Sequence, residues 1–324
     1  VKVMIGVIIF AYGAPGSLDN LKEYYTHIRH GNAPSEEEMA AVKEQYRNIG
    51  TTDLLGSITE RQAEALTHSL QPYFEEEVKV YTAFKHTAPF VEDTVLQMVN
   101  EGVSQVITFP IKPLYSKTGT GLYQIKVRKA LAKLGSTIPV LDVDHWHLHD
   151  EFVSVMAKRV KTAVKWLPSH IRNETTVIFT AHSQPGKPET YKEYSEEFTE
   201  LGKSIANQLQ LKNWRIAYRS AGSHEDLWSG PDVKDVIQEE GKKGIKGVVA
   251  CDLLSVTSNI EVLYDIGYDC QLLCKRMGIE FIRTEIPNDS YDFIMALTTI
   301  VKERVILNKL TEEYQFNKLK PSSK

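Results

Sequence analysis

The sequence predicts an α/β protein built from two similar Rossmann-like lobes, each a four-stranded parallel sheet flanked by helices. Two observations carry that prediction. Eight short apolar, β-branched runs alternate with helical periodicity along almost the whole chain, which is the pattern of parallel strands covered on both faces. The eight runs also divide into two sets of four at a polar stretch, residues 165–174, that contains Pro168.

The strands expected in the first lobe are Met4–Ala11, Val78–Ala83, Val103–Phe109 and Pro139–Asp144. Those expected in the second are Thr175–Ala181, Trp214–Ser220, Ile245–Leu253 and Glu280–Arg283. Helical patterns fill the gaps, with capping-box signatures at Ser35-x-x-Glu38 and Thr59-x-x-Gln62. Residues 1–165 form the first lobe. It includes a helical insertion between its first two strands that is far longer than a βα connection needs; such insertions commonly roof a cleft. Residues 166–310 form the second lobe. The polar tail 311–324, ending in Lys-Pro-Ser-Ser-Lys, is expected to be flexible.

Composition narrows the function. At 324 residues the chain can bury a substantial core, and 42% hydrophobic with 25% charged residues is ordinary for a soluble globular protein. A net charge of −4 gives no basic stripe for nucleic acid. Runs such as Val3–Ala11 are too short to anchor in a bilayer, and the N-terminal segment reads as a first strand rather than a signal or transit peptide. Three cysteines, Cys251, Cys270 and Cys274, fit reduced thiols in the cytoplasm and are too few for a four-cysteine iron–sulfur site.

The most informative stretch is Ile260–Cys270. Glu261, Asp265 and Asp269 recur at i, i+4 and i+8, so a helix places all three on one face, about 5.4 Å further along with each turn. No Lys or Arg lies three or four positions away to neutralise them. Such a row suits hard or borderline divalent cations and can pass protons; a solvated acidic face is the alternative. A second stretch, Val177 to Gly186, is a β-rich run that ends in His182-Ser183 before Pro185-Gly186. It delivers an imidazole to the carboxyl edge of a sheet, where open α/β folds bind ligands. A structural histidine satisfied by loop carbonyls is the alternative there.

Other motifs are weaker. Ala11-Tyr12-Gly13-Ala14-Pro15-Gly16 and Gly119-Thr120-Gly121 both fail the Gly-x-Gly-x-x-Gly test, so nucleotide binding has little support. His145-Trp146-His147-Leu148-His149-Asp150 would chelate a transition metal if extended, but a solvated loop with incidental histidines is the stronger reading. His27 and His30 share a helix with Tyr24, Tyr25 and Arg29, a face that suits either solvent or an anionic aromatic ligand. There is no Gly-x-Ser-x-Gly elbow, and Ser183 beside His182 does not make a nucleophile–base pair.

Taken together, His182-Ser183 and the later Glu-x-x-x-Asp-x-x-x-Asp helix resemble the ferrochelatases. The chain is most similar to the soluble Gram-positive type that inserts ferrous iron into coproporphyrin III. The resemblance runs, in family order, from Ala11-Tyr12-Gly13-x-Pro15 through Tyr24-Tyr25-Thr26-His27-Ile28-Arg29 and Lys85-His86-x-x-Pro89-Phe90. It continues through Thr180-Ala181-His182-Ser183-x-Pro185, Trp228-x-Gly230-Pro231-Asp232, Glu261-Val262-Leu263-Tyr264-Asp265 and Arg283-x-x-x-Pro287-Asn288.

That resemblance implies a chelatase-like fold with a porphyrin cleft between the lobes and a last helix packed back on the first lobe. It implies His182 and Glu261 facing each other across the cleft as the metal-binding and proton-accepting pair, with Asp265 and Asp269 continuing the row outward. Tyr12 would be the axial ligand of the product iron, as in coproporphyrin-using enzymes. Arg29, Tyr46 and Tyr123 would hold propionates, with Asp53 near one of them, and His86 and Trp228 would line the cleft. No cofactor is expected to be tightly bound: ferrous iron is a substrate, and a secondary divalent metal is an option on the acidic helix. A monomer without membrane anchor is expected.

Four places depart from the family pattern. Asn259 stands where a histidine usually precedes the glutamate, and Thr51-Thr52-Asp53-Leu54-Leu55 replaces Gly-x-Ser-Pro-Leu. Gln184 replaces an apolar residue, and Lys187-Pro188-Glu189-Thr190-Tyr191 replaces Gly-Asp-Pro-Tyr. They keep two alternatives open: a divergent, non-catalytic tetrapyrrole- or metal-binding paralogue, and a chelatase for another divalent metal such as cobalt.

Overall fold

A computed structural model describes residues 3–52, 54–222 and 225–319. In the first lobe, β1 (Met4–Ala11) lies between β2 (Glu77–Phe84) and β3 (Gln105–Pro110), and β4 (Val140–Asp142) flanks β3. In the second, β5 (Thr175–His182) lies between β6 (Trp214–Arg219) and β7 (Gly247–Asp252), and β8 (Glu280–Arg283) flanks β7. All neighbours are parallel, and both sheets have the order 2-1-3-4. The eight strands are those the apolar runs predict, with shifts of a few residues at their ends.

Each sheet has a crevice beside its central strand, where the chain's crossovers reverse direction and where such folds receive ligands. Tyr12 follows the last residue of β1, and His182 is the last residue of β5. The repeated topology therefore delivers these two side chains to equivalent points of the two lobes.

The insertion after β1 holds α1 (Leu21–Ile28), α2 (Glu36–Ile49) and α3 (Leu54–Leu70). The capping box at Ser35 forms: Glu38 N–H donates to Ser35 Oγ at 3.2 Å, and Ser35 N–H to Glu38 Oε2 at 2.7 Å. The box expected at Thr59 does not, because both residues lie inside α3. There Thr59 Oγ1 donates to Leu55 O, and Gln62 Nε2 tethers the other lobe through Thr257 Oγ1 and Asn288 O. Leu21, Met39 and Tyr46 cluster with Ile260 of the second lobe, so α1 and α2 roof the space between the lobes.

Helices exchange between the lobes. α6 (Asp150–Trp166), which follows β4, packs against α7 (Lys192–Leu209), β7 and β8. α10 (Tyr291–Leu319), which follows β8, returns to α3. Arg159 of α6 grips Asp292 of α10 through two 3.0 Å bonds, and Ser69 of α3 bonds Thr298 of α10 at 2.6 Å. One apolar core consequently runs through both sheets, from Val7 and Ile9 to Val177 and Phe179, by way of Phe152 and Phe293. Separate cores cover the outer faces, under α4 (Val91–Asn100) and α5 (Thr120–Lys133) on one side and α8 (Val233–Lys242) and α9 (Gln271–Met277) on the other. The tail expected to be flexible continues α10 as far as Leu319. Among the described residues, no helix is long and apolar enough to cross a membrane.

Candidate active site

The carboxyl ends of both sheets open into one cleft of about 720 Å³, a size typical of small-molecule sites. His182, Glu261 and Trp228 line it from the second lobe, and Tyr12, Lys85 and Lys112 from the first.

His182 is held from several directions. Its Nδ1 lies 2.6 Å from the Ser183 carbonyl oxygen, which can only accept, so Nδ1 carries the proton. Nε2 is then the nitrogen left to gain or lose a proton or to bind a metal, and it faces Glu261 Oε2 at 3.5 Å. The loop after β5 is anchored by Ser183 N–H to Arg219 O at 2.7 Å and Ser183 Oγ–H to Ser229 O at 2.6 Å. Gln184 N–H donates to Ser229 Oγ, and Tyr194 O–H to His182 O. Trp228 approaches the imidazole at 6.4 Å between ring centroids and fits because Gly222 has no Cβ, which would lie 2.6 Å from the indole.

Glu261 stands beside His182 rather than across the cleft from it. The reason is topological: β5 and β7 are neighbours, so the segments leaving their ends lie side by side. Glu261 is 51% exposed, to the inside of the cleft. Burial pushes its carboxyl up, but His182, Arg219 and Lys112 outweigh that and hold it at about 2. Arg219 Nη1 approaches Glu261 Oε2 at 3.7 Å. That guanidinium is 1% exposed and paired with Asp252 at 2.6 and 3.3 Å, with Ser255 Oγ accepting a further bond. Removing one partner of such a buried pair is strongly destabilising.

Each carboxylate of the acidic row has a partner from another element, none of which the local sequence shows. Arg219 serves Glu261, Ser220 Oγ donates to Asp265, and Lys234 Nζ lies 3.9 Å from Asp269 Oδ2. These partners come from β6, the residue after it and α8, so no inspection of i±3 and i±4 positions could find them. Burial pushes the Asp265 carboxyl up. The segment Val262–Cys270 is a π-helix rather than an α-helix. Its i→i+5 bonding widens the turn, so residues four apart fall just short of a full turn and still share a face; π-turns often mark functional sites.

Asn259 has a local role. Its Oδ1 accepts Val262 N–H at 3.1 Å, and its Nδ2 donates to Ser255 Oγ and Thr257 O. It caps the helix that carries Glu261.

On the first-lobe wall, burial pushes the Tyr12 hydroxyl up to about 12, with Glu261 adding to the effect. Lys85 Nζ sits 5.8 Å from the Tyr12 ring centroid, and the His86 ring meets Tyr12 edge-on at 4.4 Å. Burial and then Lys85 push His86 down to about 4, and its Nδ1 shares a proton with His27 Nδ1 at 2.9 Å. Tyr24 donates to the carbonyl of Gly13, whose φ of +103° suits glycine. Tyr123 donates to Ala11 O at 3.2 Å and stacks on Phe10, which fixes the strand end that carries Tyr12. Tyr46 lines the roof side of the cleft and is 4% exposed.

Arg29 is not among the cleft-lining residues. It follows the last residue of α1, and its guanidinium is held at an exposed position by both oxygens of Glu38 at 2.8 Å each. Asp53 lies outside the described residues. Among the described residues, the lysines that line the cleft are Lys85 and Lys112, and burial together with Lys85 pushes Lys112 down to about 8. Sequence reasoning did not single them out for binding, yet a signal existed. Lys85 follows β2 and Lys112 lies two residues past β3, the same strand-end position that drew attention to His182.

Two like lobes, with a histidine–carboxylate pair lining the cleft between them and two further carboxylates on the helix that leads away from it, define a chelatase-type architecture. The chain belongs to the ferrochelatase family: the family model described as Ferrochelatase matches residues 4–305. It is 34% identical over 308 residues to coproporphyrin III ferrochelatase 2 of Bacillus cereus, covering 94% of this chain and 95% of that one. It is 32% identical over 306 residues to coproporphyrin III ferrochelatase of Oceanobacillus iheyensis, covering 94% and 97%. Among solved structures, SirB from Bacillus subtilis with Fe3+ superposes with a TM-score of 0.59 at 13% identity, covering 93% of this chain and 95% of that one. At that identity the likeness speaks for the fold alone.

Proposed function

We propose that this protein inserts ferrous iron into coproporphyrin III in haem biosynthesis, releasing two protons, as a metal-chelating lyase. The observation that carries the reading is His182 with its Nε2 in the cleft, 3.5 Å from a carboxylate held ionised. Metalation needs a ferrous ion stripped of water, two pyrrole protons removed, and a macrocycle bent enough to expose its nitrogen lone pairs. His182 Nε2 is the proton acceptor. Glu261 offsets the charge of the dication as water is shed, and Asp265 and Asp269 form the outward part of its route.

Tyr12 approaches from the first lobe, the face opposite His182, and is the axial ligand for the product. Lys85 and Lys112 are the propionate partners inside the cleft, and His86 and Trp228 flank the ring. Propionate contacts of this kind supply the remote binding energy that bends the macrocycle. A secondary divalent ion on the acidic helix would use Asp269 and compete there with Lys234. The cleft is complete within one chain, which supports a monomer, and three buried free thiols support a cytoplasmic location.

Anaerobic incubation of the purified protein with coproporphyrin III and ferrous, zinc or cobalt ions, followed by visible absorption, tests the reading. Rapid formation of the iron complex is expected. Binding without metalation would favour a non-catalytic tetrapyrrole protein, and turnover with cobalt but not iron would favour a different chelatase.

A further inference from the structure

The histidine-rich loop at residues 145–149 is not solvated by default. It packs against one face of α7, where Glu193, Glu197 and Glu200 recur at i, i+4 and i+7. His145 Nδ1 lies 2.5 Å from Glu197 Oε1, and ligand atoms of His145, Glu193 and Glu197 all fall within 4.8 Å of one another. The Tyr115 ring stacks on His145 at 4.4 Å, and Tyr115 N–H donates to Glu197 Oε2 at 2.6 Å.

His147 provides an independent observation. It is 7% exposed, and its Nε2 donates to Glu200 Oε2 at 3.0 Å. Its Nδ1 is buried, makes no hydrogen bond, and points at Glu197 Oε2 from 3.6 Å. With the proton on Nε2, a lone pair on Nδ1 faces a carboxylate oxygen that is also only an acceptor. A cation between them, whether a second ring proton or a metal ion, removes that conflict.

We propose that His145, Glu193 and Glu197 bind a first-row divalent transition cation, with His147 Nδ1 as the fourth donor, at a site separate from the cleft. Imidazole with carboxylate suits zinc, ferrous or cobaltous ions better than magnesium or calcium, which prefer all-oxygen sets. Donors belong about 2.0–2.2 Å from such an ion. Binding parts the short His145–Glu197 contact and draws in Glu193, which is exposed and free to turn. The ion would join a first-lobe loop to a second-lobe helix whose Tyr194 holds the His182 carbonyl. The site is thus a clamp between the lobes.

The test uses cobaltous ion alone, with the cleft silenced by H182A/E261Q. One equivalent should bind with visible d–d absorption and raise the melting temperature, as any ligand of the native state does. Adding Glu193→Gln, an exposed position that does not threaten folding, should weaken binding by at least about tenfold. His145→Ala should abolish the absorption. If the cleft-silenced protein binds no cobalt, or binds it equally well after both substitutions, the site does not exist.

Discussion

His182 Nε2 lies 3.5 Å from Glu261 Oε2, and both project from the second-lobe wall of the cleft. With Nδ1 committed to the Ser183 carbonyl, Nε2 and the ionised Glu261 carboxylate face each other across the gap that a proton or a metal cation would fill. The pair is supported from behind by buried Arg219 and Asp252, so its geometry is set before any substrate arrives.

His182→Ala should lower metal insertion by about 10²–10⁴-fold, the usual contribution of a positioned acid–base group. Porphyrin binding and thermal unfolding should change little, because the loop is held by main-chain and Ser229 bonds that survive the substitution. Near-normal turnover would show that another group takes the protons.

Along the acidic row the order of damage should be Glu261→Gln, then Asp265→Asn, then Asp269→Asn. Glu261 alone touches His182, and Asp269 already shares its charge with Lys234. Steady-state rates at limiting iron measure the series. A greatest loss at Asp269 would mean that the row runs toward the macrocycle in the opposite sense.

Asn259→His adds a proton-accepting ring at the cleft, and turnover should rise. The same change removes the Oδ1 bond to Val262 N–H, and a lost cap costs about 0.5–2 kcal/mol. A faster but less stable enzyme is therefore expected from paired kinetics and denaturant melts. A slower enzyme of unchanged stability would show that neither role assigned to position 259 is right.

Lys112 gives a pH signature. Its folded value of about 8 lies below its ordinary 10.5, so between those values the folded chain has already lost a proton that the unfolded chain keeps. Stability therefore gains from this group as pH rises across that window, while the positive charge in the cleft disappears. The KM for coproporphyrin III, with its four propionates, should climb through about pH 8, and Lys112→Arg should move that limb upward. A flat KM from pH 7 to 9 would remove Lys112 from the propionate partners.

Protoporphyrin IX carries two propionates, so it should lose less than coproporphyrin III when Lys85 or Lys112 becomes Met. Arg29→Ala should affect both porphyrins weakly, since Arg29 is spent on Glu38. Side-by-side kcat/KM values decide the matter. A strong, coproporphyrin-selective loss at Arg29 would show that it leaves Glu38 when substrate binds.

The eight strands, their grouping into two sheets and the strand-end position of His182 are all legible along the chain. Each of these is written in local hydrophobic runs and turn residues, which neighbours along the chain control. The spacing of Glu261, Asp265 and Asp269 likewise carried over to a shared face, even though the helix proved to be of π type. What the charges do depends on contacts made only in the folded chain. Arg219 and Lys234 reach the acidic row from another strand and another helix, and Arg29 turns to Glu38 nine residues away. The same holds for the exchange of α6 and α10, for Asn259 as a cap, and for His145 and His147 meeting the glutamates of α7. Local periodicity reports which face of an element is apolar. It does not report which distant element covers that face, and Coulomb and hydrogen-bond energies depend on that placement within a few ångströms.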